Sequence, residues 1–255
     1  MTVVDPSVPG GAGHGVGIDT ATRGARRRVL MVVPSTAVGS NDGRSVGLWA
    51  AEFIHPYDEL TERGLEVDIA SPGGGKVEFD ALCVPRDASR WSSAEWIRMG
   101  FVHGSPLPAL LADVPKLADL DHARYHALLV CAAQAPMFTG RDHADLCEII
   151  RTFYEAGKVT AALRQGVAAL VDVRLSDGTY LVTGKTVTGL ADIVRDANDR
   201  RAGPGVLPWR FEDALRDRGA NCIKSGPLTA VAVRDGRLEG VPFSRAGIRP
   251  QGRGA

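Results

Sequence analysis

Apolar positions along this chain follow two rhythms. Short unbroken apolar runs, closed by Pro or Gly, alternate with longer stretches in which apolar residues return every three or four positions. Arg28–Pro34 (RVLMVVP) and Ala127–Ala132 (ALLVCA) belong to the first kind and predict buried strands, and Leu65–Ala70 and Lys158–Leu163, interrupted by Glu66, Asp68 and Thr160, read as further strands of the same sheet. Trp49–Arg63, His143–Ala156 and Phe211–Arg218 belong to the second kind and predict helices. Gly64, Gly157 and Gly219 stand where helices close on a left-handed glycine. His55-Pro56 falls inside the first helix and predicts a kink there. Strands that alternate with helices pair most economically in parallel, through right-handed crossovers. The fold class is therefore α/β.

The punctuation between these elements sets the domain plan. Residues 1–26 read as a flexible N-terminal tail, 27–248 as a single α/β domain, and 249–255 as a C-terminal tail. Ser40-Asn41-Asp42-Gly43-Arg44 is a loop after the first strand. Residues 76–123 are less regular, with helical pieces near 92–101 and 106–119, and read as a lid-like insertion. Tyr180–Val182 and Lys185–Thr188 predict a small hairpin around Thr183-Gly184. Ala230–Arg234 and Arg237–Glu239 predict another, closed by Asp235-Gly236 in a type I′ turn.

Composition narrows the function classes. The chain has 255 residues, with 30 basic residues balancing 30 acidic ones, so no net field draws it to nucleic acid or to an anionic membrane. The expectation is a protein with no nucleic-acid partner, no membrane partner and a cytoplasmic location. Cys83, Cys131, Cys147 and Cys222 lack metal-ligand spacing, and His122 and His126 have no third ligand in sight. No metal and no cofactor are expected. Trp49, Trp91, Trp96 and Trp209 read as core or interface, and His103 is the one histidine of the insertion that could carry a proton.

The chemistry concentrates at Thr160–Leu170. A buried strand, a tight turn and a helix start form an elbow, the place where an open α/β sheet presents a nucleophile. Here the apex is Arg164-Gln165, and neither residue is a nucleophile. A guanidinium stays protonated and cannot replace a thiolate.

Several runs carry a resemblance to a known family. Gly47-Leu48-Trp49-Ala50-Ala51-Glu52-Phe53-Ile54-His55-Pro56-Tyr57 is followed by Glu66-Val67-Asp68-Ile69-Ala70-Ser71-Pro72-Gly73-Gly74. Further matches are Phe153–Val159, Leu175–Gly178, Gly184–Gly189 and Asp235–Leu238, in the expected order over roughly residues 28–242. In these runs the chain resembles the ThiJ/PfpI superfamily, in the branch of glyoxalase III and the heat-shock deglycases. The resemblance implies a flavodoxin-like, class I glutamine amidotransferase-like sandwich, a mostly parallel sheet with helices on both faces, and a homodimer. It also implies a catalytic acidic residue at Glu52, a cysteine followed by histidine at the elbow, and a glycine-rich oxyanion run after the third strand. This sequence keeps Glu52 but has Arg164 and Gln165 at the elbow and Ala132-Ala133-Gln134-Ala135 at the oxyanion run.

The pocket thus exchanges one set of polar groups for another, which favours a repurposed enzyme over a decayed one. The expectation is non-covalent acid–base chemistry of lyase, hydratase, isomerase or cyclase type, on a small molecule bearing a carbonyl or carboxylate. High Arg, Ala, Gly and Val content points to a high-GC genome and to specialised metabolism. Glu52 is the expected catalytic group, held as a carboxylate by Arg164 and so suited to act as a base. Arg164, Gln165, Gln134, Ala133, Asp42 and Arg44 are the expected substrate-binding residues. Arg164 either grips an anionic group with its planar fork or pairs with Glu52 as a plug. In the second case the chain is a non-catalytic binding, chaperone-like or regulatory protein. Cys131, at the end of the third strand, reads as a buried inert thiol.

Overall fold

The computed structural model describes residues 2–4, 27–35, 37–38, 45–79, 107–132, 144–188, 211–223 and 231–241. In chain order its elements are β1 (Thr2–Val4), β2 (Arg28–Val32), β3 (Ala37–Val38), β4 (Ser45–Val46), α1 (Ala50–Glu62) and β5 (Glu66–Ala70). They continue with β6 (Ala127–Ala132), α2 (Ala144–Glu155), β7 (Val159–Arg164), β8 (Thr186–Val187), α3 (Phe211–Asp217), β9 (Asn221–Cys222), β10 (Val231–Asp235) and β11 (Leu238–Val241).

Seven strands form the main sheet, in the order β1-β10-β11-β7-β6-β2-β5. β5, β2, β6, β7 and β11 are mutually parallel, and only β10 runs against its neighbour β11. Those five parallel strands have the flavodoxin-like arrangement, in which the chain reverses direction between the first strand, β2, and the third, β6. Ligands bind such sheets at the carboxyl ends beside that switch point.

Strand periodicity divides the core between the two faces. Val29, Met31 and Val33 of the first strand region, with Leu129 and Cys131 of β6, pack against Phe53 and Ile54 of α1. Leu30, Val32, Leu128, Val130 and Ala162 pack on the other side, against Leu146, Ile149, Ile150 and Phe153 of α2. The helical spacing of those α2 residues supplies the matching apolar stripe.

All three helices close as the glycines predict. Gly64, Gly157 and Gly219 have φ of +79°, +70° and +82°. At each end two backbone bonds satisfy the last carbonyls, for example Leu65 N–H to Leu60 O and Gly64 N–H to Thr61 O after α1. The helix α1 runs on through Pro56 without ending.

Several expectations need correction. Thr2–Val4, placed in the tail, pair in parallel with Val231–Val233 as an edge strand. The segment 180–188 is not a hairpin: Thr186–Val187 pair in parallel with Asn221–Cys222, a non-local match that local turn signals do not reveal. The terminal hairpin pairs Asp235 with Leu238, so its two turn residues are Gly236 and Arg237. Only Gly236 has positive φ there, which excludes type I′ and leaves the turn with glycine first. Within 106–119 the chain makes short 3-10 turns, Leu107–Leu111 and Leu117–Asp119, with Pro108 and Pro115 among them. The described part of the insertion is a packed layer. Leu107, Leu111 and Val114 join the α1 core, and Gly75 and Ser71 bridge to Val114 and Lys116. The piece near 92–101 lies outside the described residues, as do Trp91, Trp96, His103 and Trp209.

Candidate functional site

β7 ends on Arg164, whose backbone adopts φ 49° and ψ −115° before the 3-10 turn Gln165–Leu170. Arg164 is the only described non-glycine residue with positive φ. An L-residue there is strained by about 1–3 kcal/mol, a cost that clusters at functional positions. The elbow expected from sequence is thus present, with arginine at its strained apex. The turn after it is six residues of 3-10 helix. It is too short to supply the helix-dipole pull that a full α-helix would add, so the attraction for anions rests on the guanidinium itself. Gly166 lets the elbow close on β6: a Cβ on it would stand 2.7 Å from the Val130 carbonyl oxygen.

Glu52 comes to the same place from the first turn of α1. Its residue surface is 2% exposed, and its Oε1 lies 3.0 Å from Nη1 of Arg164. The contact is single-point, and among the described residues neither Glu52 oxygen accepts a hydrogen bond. The side chain of Arg164 is the more open member, 14% exposed against 3% for Glu52. Trp49, the N-cap of α1, lays its ring 5.2 Å from Cζ of Arg164.

This geometry reverses one expectation. Arg164 was expected to win over burial and hold Glu52 as a carboxylate. Burial prevails instead and pushes the Glu52 carboxyl up to about 8, with Arg164 pulling it only part of the way back. The physical reason is the poverty of the contact. A charged carboxylate regains its lost hydration through hydrogen bonds, and one unaligned contact supplies too little. A carboxyl raised in this way favours its acid form, which suits it to give a proton rather than to take one.

Cys131 is fully buried on the α1 face of β6. Burial, reinforced by the charge of Glu52, pushes its thiol well above the ordinary range. A thiol held that way is not a nucleophile at neutral pH, in line with the inert reading. His122 and His126 serve the scaffold. His122 Nε2 lies 2.9 Å from the Leu117 carbonyl, and His126 Nδ1 accepts from the Arg28 amide at 3.1 Å. Among the described residues no group of three His, Cys, Asp or Glu side chains could hold a metal.

The structure brings Glu52 and Arg164 together. Gln165 opens the turn beside them, and its side chain lies outside the described residues, as do Asp42, Arg44, Ala133 and Gln134 altogether. Sequence reasoning placed Trp49 in the core or an interface and missed its stacking on Arg164. A usable signal was its position: an aromatic residue three before Glu52, at an N-cap where Ser, Thr, Asp or Asn is usual.

No protein-family model matches the chain. It is 29% identical over 200 residues to the glutamine amidotransferase-like class 1 domain-containing protein 1 of Bos taurus, covering 77% of this chain and 81% of that protein. It is 26% identical over 216 residues to glyoxalase 3 of Candida albicans, covering 83% of this chain and 86% of the relative. A crystallographic structure whose protein carries only a target designation is 32% identical, with a TM-score of 0.70 over 86% of this chain and 91% of its own. A ThiJ/PfpI domain protein from Brachyspira murdochii shares the fold at 12% identity, with a TM-score of 0.54 over 86% of this chain and 88% of its own.

Proposed function

We propose that this chain, which belongs to the ThiJ/PfpI superfamily of glutamine amidotransferase-like α/β proteins, is a small-molecule enzyme that works by non-covalent acid–base chemistry. The observation that carries the proposal is the occupant of the elbow. Arg164 stands in the strained position reserved for a nucleophile and reaches 3.0 Å from a buried Glu52. Arg164 binds the carboxylate or carbonyl oxygen of the substrate. Glu52, whose carboxyl burial favours in the acid form, delivers a proton to the reacting oxygen, and its carboxylate, beside Arg164, then takes a proton back from the substrate carbon or from water, so that the enzyme ends as it began. The reaction types that need no covalent intermediate are elimination, hydration, isomerisation and cyclisation. The Candida albicans relative is named a glyoxalase; a covalent, thiol-dependent route to such chemistry would have no described thiolate to start it here. Homodimer formation, a cytoplasmic location and a place in specialised metabolism belong to the same proposal and rest on the resemblance and composition.

The test is a turnover screen on small 2-oxo and 2-hydroxy acids with wild type, Glu52→Gln and Arg164→Ala. Activity present in wild type and lost in both variants, with the fold intact, supports the reading. Full activity in Glu52→Gln refutes the acid role. One observation favours a second reading, the plugged, non-catalytic protein: Glu52 and Arg164 touch each other directly. That reading predicts that no variant at either position changes any ligand affinity.

A further inference from the structure

The first turn of α1 contains two polar groups whose hydrogen-bonding capacity the fold leaves unused. Trp49 is the N-cap residue, yet its side chain makes no capping bond. Its Nε1 is buried and has no acceptor. A buried indole N–H nearly always finds a partner, because leaving it unmade costs the full desolvation of the donor. Three residues on, both carboxyl oxygens of Glu52 are buried and, among the described residues, accept no hydrogen bond. Both flank the same cation: the guanidinium of Arg164 is 5.2 Å from the Trp49 ring and 3.0 Å from Glu52 Oε1.

We propose that Trp49 is a third substrate-binding residue, whose indole N–H donates to a carboxylate oxygen held by Arg164, and that the ligand is a small 2-oxo or 2-hydroxy carboxylate whose neighbouring oxygen meets Glu52. The proposal rests on the reading of Arg164 as an anion binder. Its chemistry follows from the donor set. The indole N–H and the guanidinium only donate, so they demand acceptor oxygens. The guanidinium fork fits a planar carboxylate, and the ring 5.2 Å from Cζ brings a further donor, the indole N–H, to the same side of the site. Glu52, as an acid, donates as well, so the oxygen next to the carboxylate must also accept. A 2-oxo or 2-hydroxy carboxylate places two acceptor sites of that kind on adjacent carbons. Among the described residues the other titratable group facing Glu52 is Cys131 of β6, whose thiol stays neutral. The ligand enters over Arg164, the member with the greater exposure.

The experiment follows the indole N–H signals by ¹⁵N-resolved NMR while pyruvate or glycolate is added, with inorganic phosphate as a comparison anion. Trp49→Phe keeps an aromatic ring on Arg164 but removes the donor, and its missing signal assigns Trp49 among the four tryptophans. The expected result is a saturable downfield shift of the Trp49 signal with the 2-substituted carboxylates, absent in Arg164→Ala. Calorimetry should show Trp49→Phe binding at least about tenfold more weakly than wild type, the worth of one hydrogen bond to a charged acceptor. If Arg164-dependent binding occurs but the Trp49 signal does not move, or Trp49→Phe binds as well as wild type, this inference is wrong and the proposed function survives. A stronger response to phosphate than to the carboxylates overturns the ligand class. No Arg164-dependent binding of any probe removes both readings.

Discussion

Glu52 gives the site a pH signature that follows from its burial. Its folded-state value, about 8, lies above the ordinary 4.5. A carboxyl shifted in that direction contributes its stability in full at low pH and loses it as pH rises through the folded value, at about 1.4 kcal/mol per unit of displacement. Glu52→Gln has no such titration. The stability of wild type minus that of Glu52→Gln should therefore fall steadily between pH 4.5 and about 8 and level off above it. Urea titrations of both proteins across that window measure it. A flat difference means that Glu52 is ionised in the folded protein and cannot be the acid. At this scale the sequence was enough to expect Glu52 and Arg164 in one place, where the structure also puts them, since they occupy positions that neighbouring runs such as Gly47–Tyr57 mark out. It did not reveal which charge state Glu52 takes. That depends on how many hydrogen bonds the folded site gives it, a quantity no spacing encodes. Trp49 packs against the α1 core as its apolar ring predicts, and what the sequence did not reveal is that the same ring also lies against Arg164.

The elbow is the element on which the site depends, and its tightness is set by Gly166. Adding a methyl group there puts carbon 2.7 Å from the Val130 carbonyl, which is backbone and cannot rotate away. Gly166→Ala should cost about 1–3 kcal/mol, the usual range for overpacking, and should move Arg164 off Glu52. Unchanged thermal stability together with unchanged ligand affinity would show that the elbow is looser than its geometry indicates. The elements that local pattern predicts well are those whose signals are local: the apolar runs of β2, β5, β6 and β7, and the helices closed by Gly64, Gly157 and Gly219. The segment 180–188 was misread because β8 finds its partner in β9, more than thirty residues on. The stretch 107–119 has helical spacing of apolar residues, but its prolines confine it to 3-10 turns.

At the scale of the whole molecule, a familiar framework carries an altered site. Relatives named as glyoxalases align with 83% and 84% of this chain; here the elbow residue is Arg164, and burial holds the thiol of Cys131 well above its ordinary range. Incubation with methylglyoxal should give no lactate, and Arg164→Cys should not restore it, because Gln165 and the run Ala132-Ala133-Gln134-Ala135 still lack the base and oxyanion pattern of the family. Lactate formed by wild type at rates comparable with an intact glyoxalase III would remove the claim that covalent chemistry has been lost. The most direct test of the central claim, that Arg164 has become the anion-binding group of a non-covalent site, is calorimetric titration of pyruvate and glycolate into wild type, Arg164→Lys and Arg164→Ala. Lysine keeps the charge but loses the planar fork. The account predicts that wild type binds about ten- to a hundredfold more tightly than Arg164→Lys, the worth of one charge-assisted hydrogen bond, and that Arg164→Ala binds no better than the lysine variant. Equal affinities across the three proteins would contradict it and leave Arg164 as a plug for Glu52.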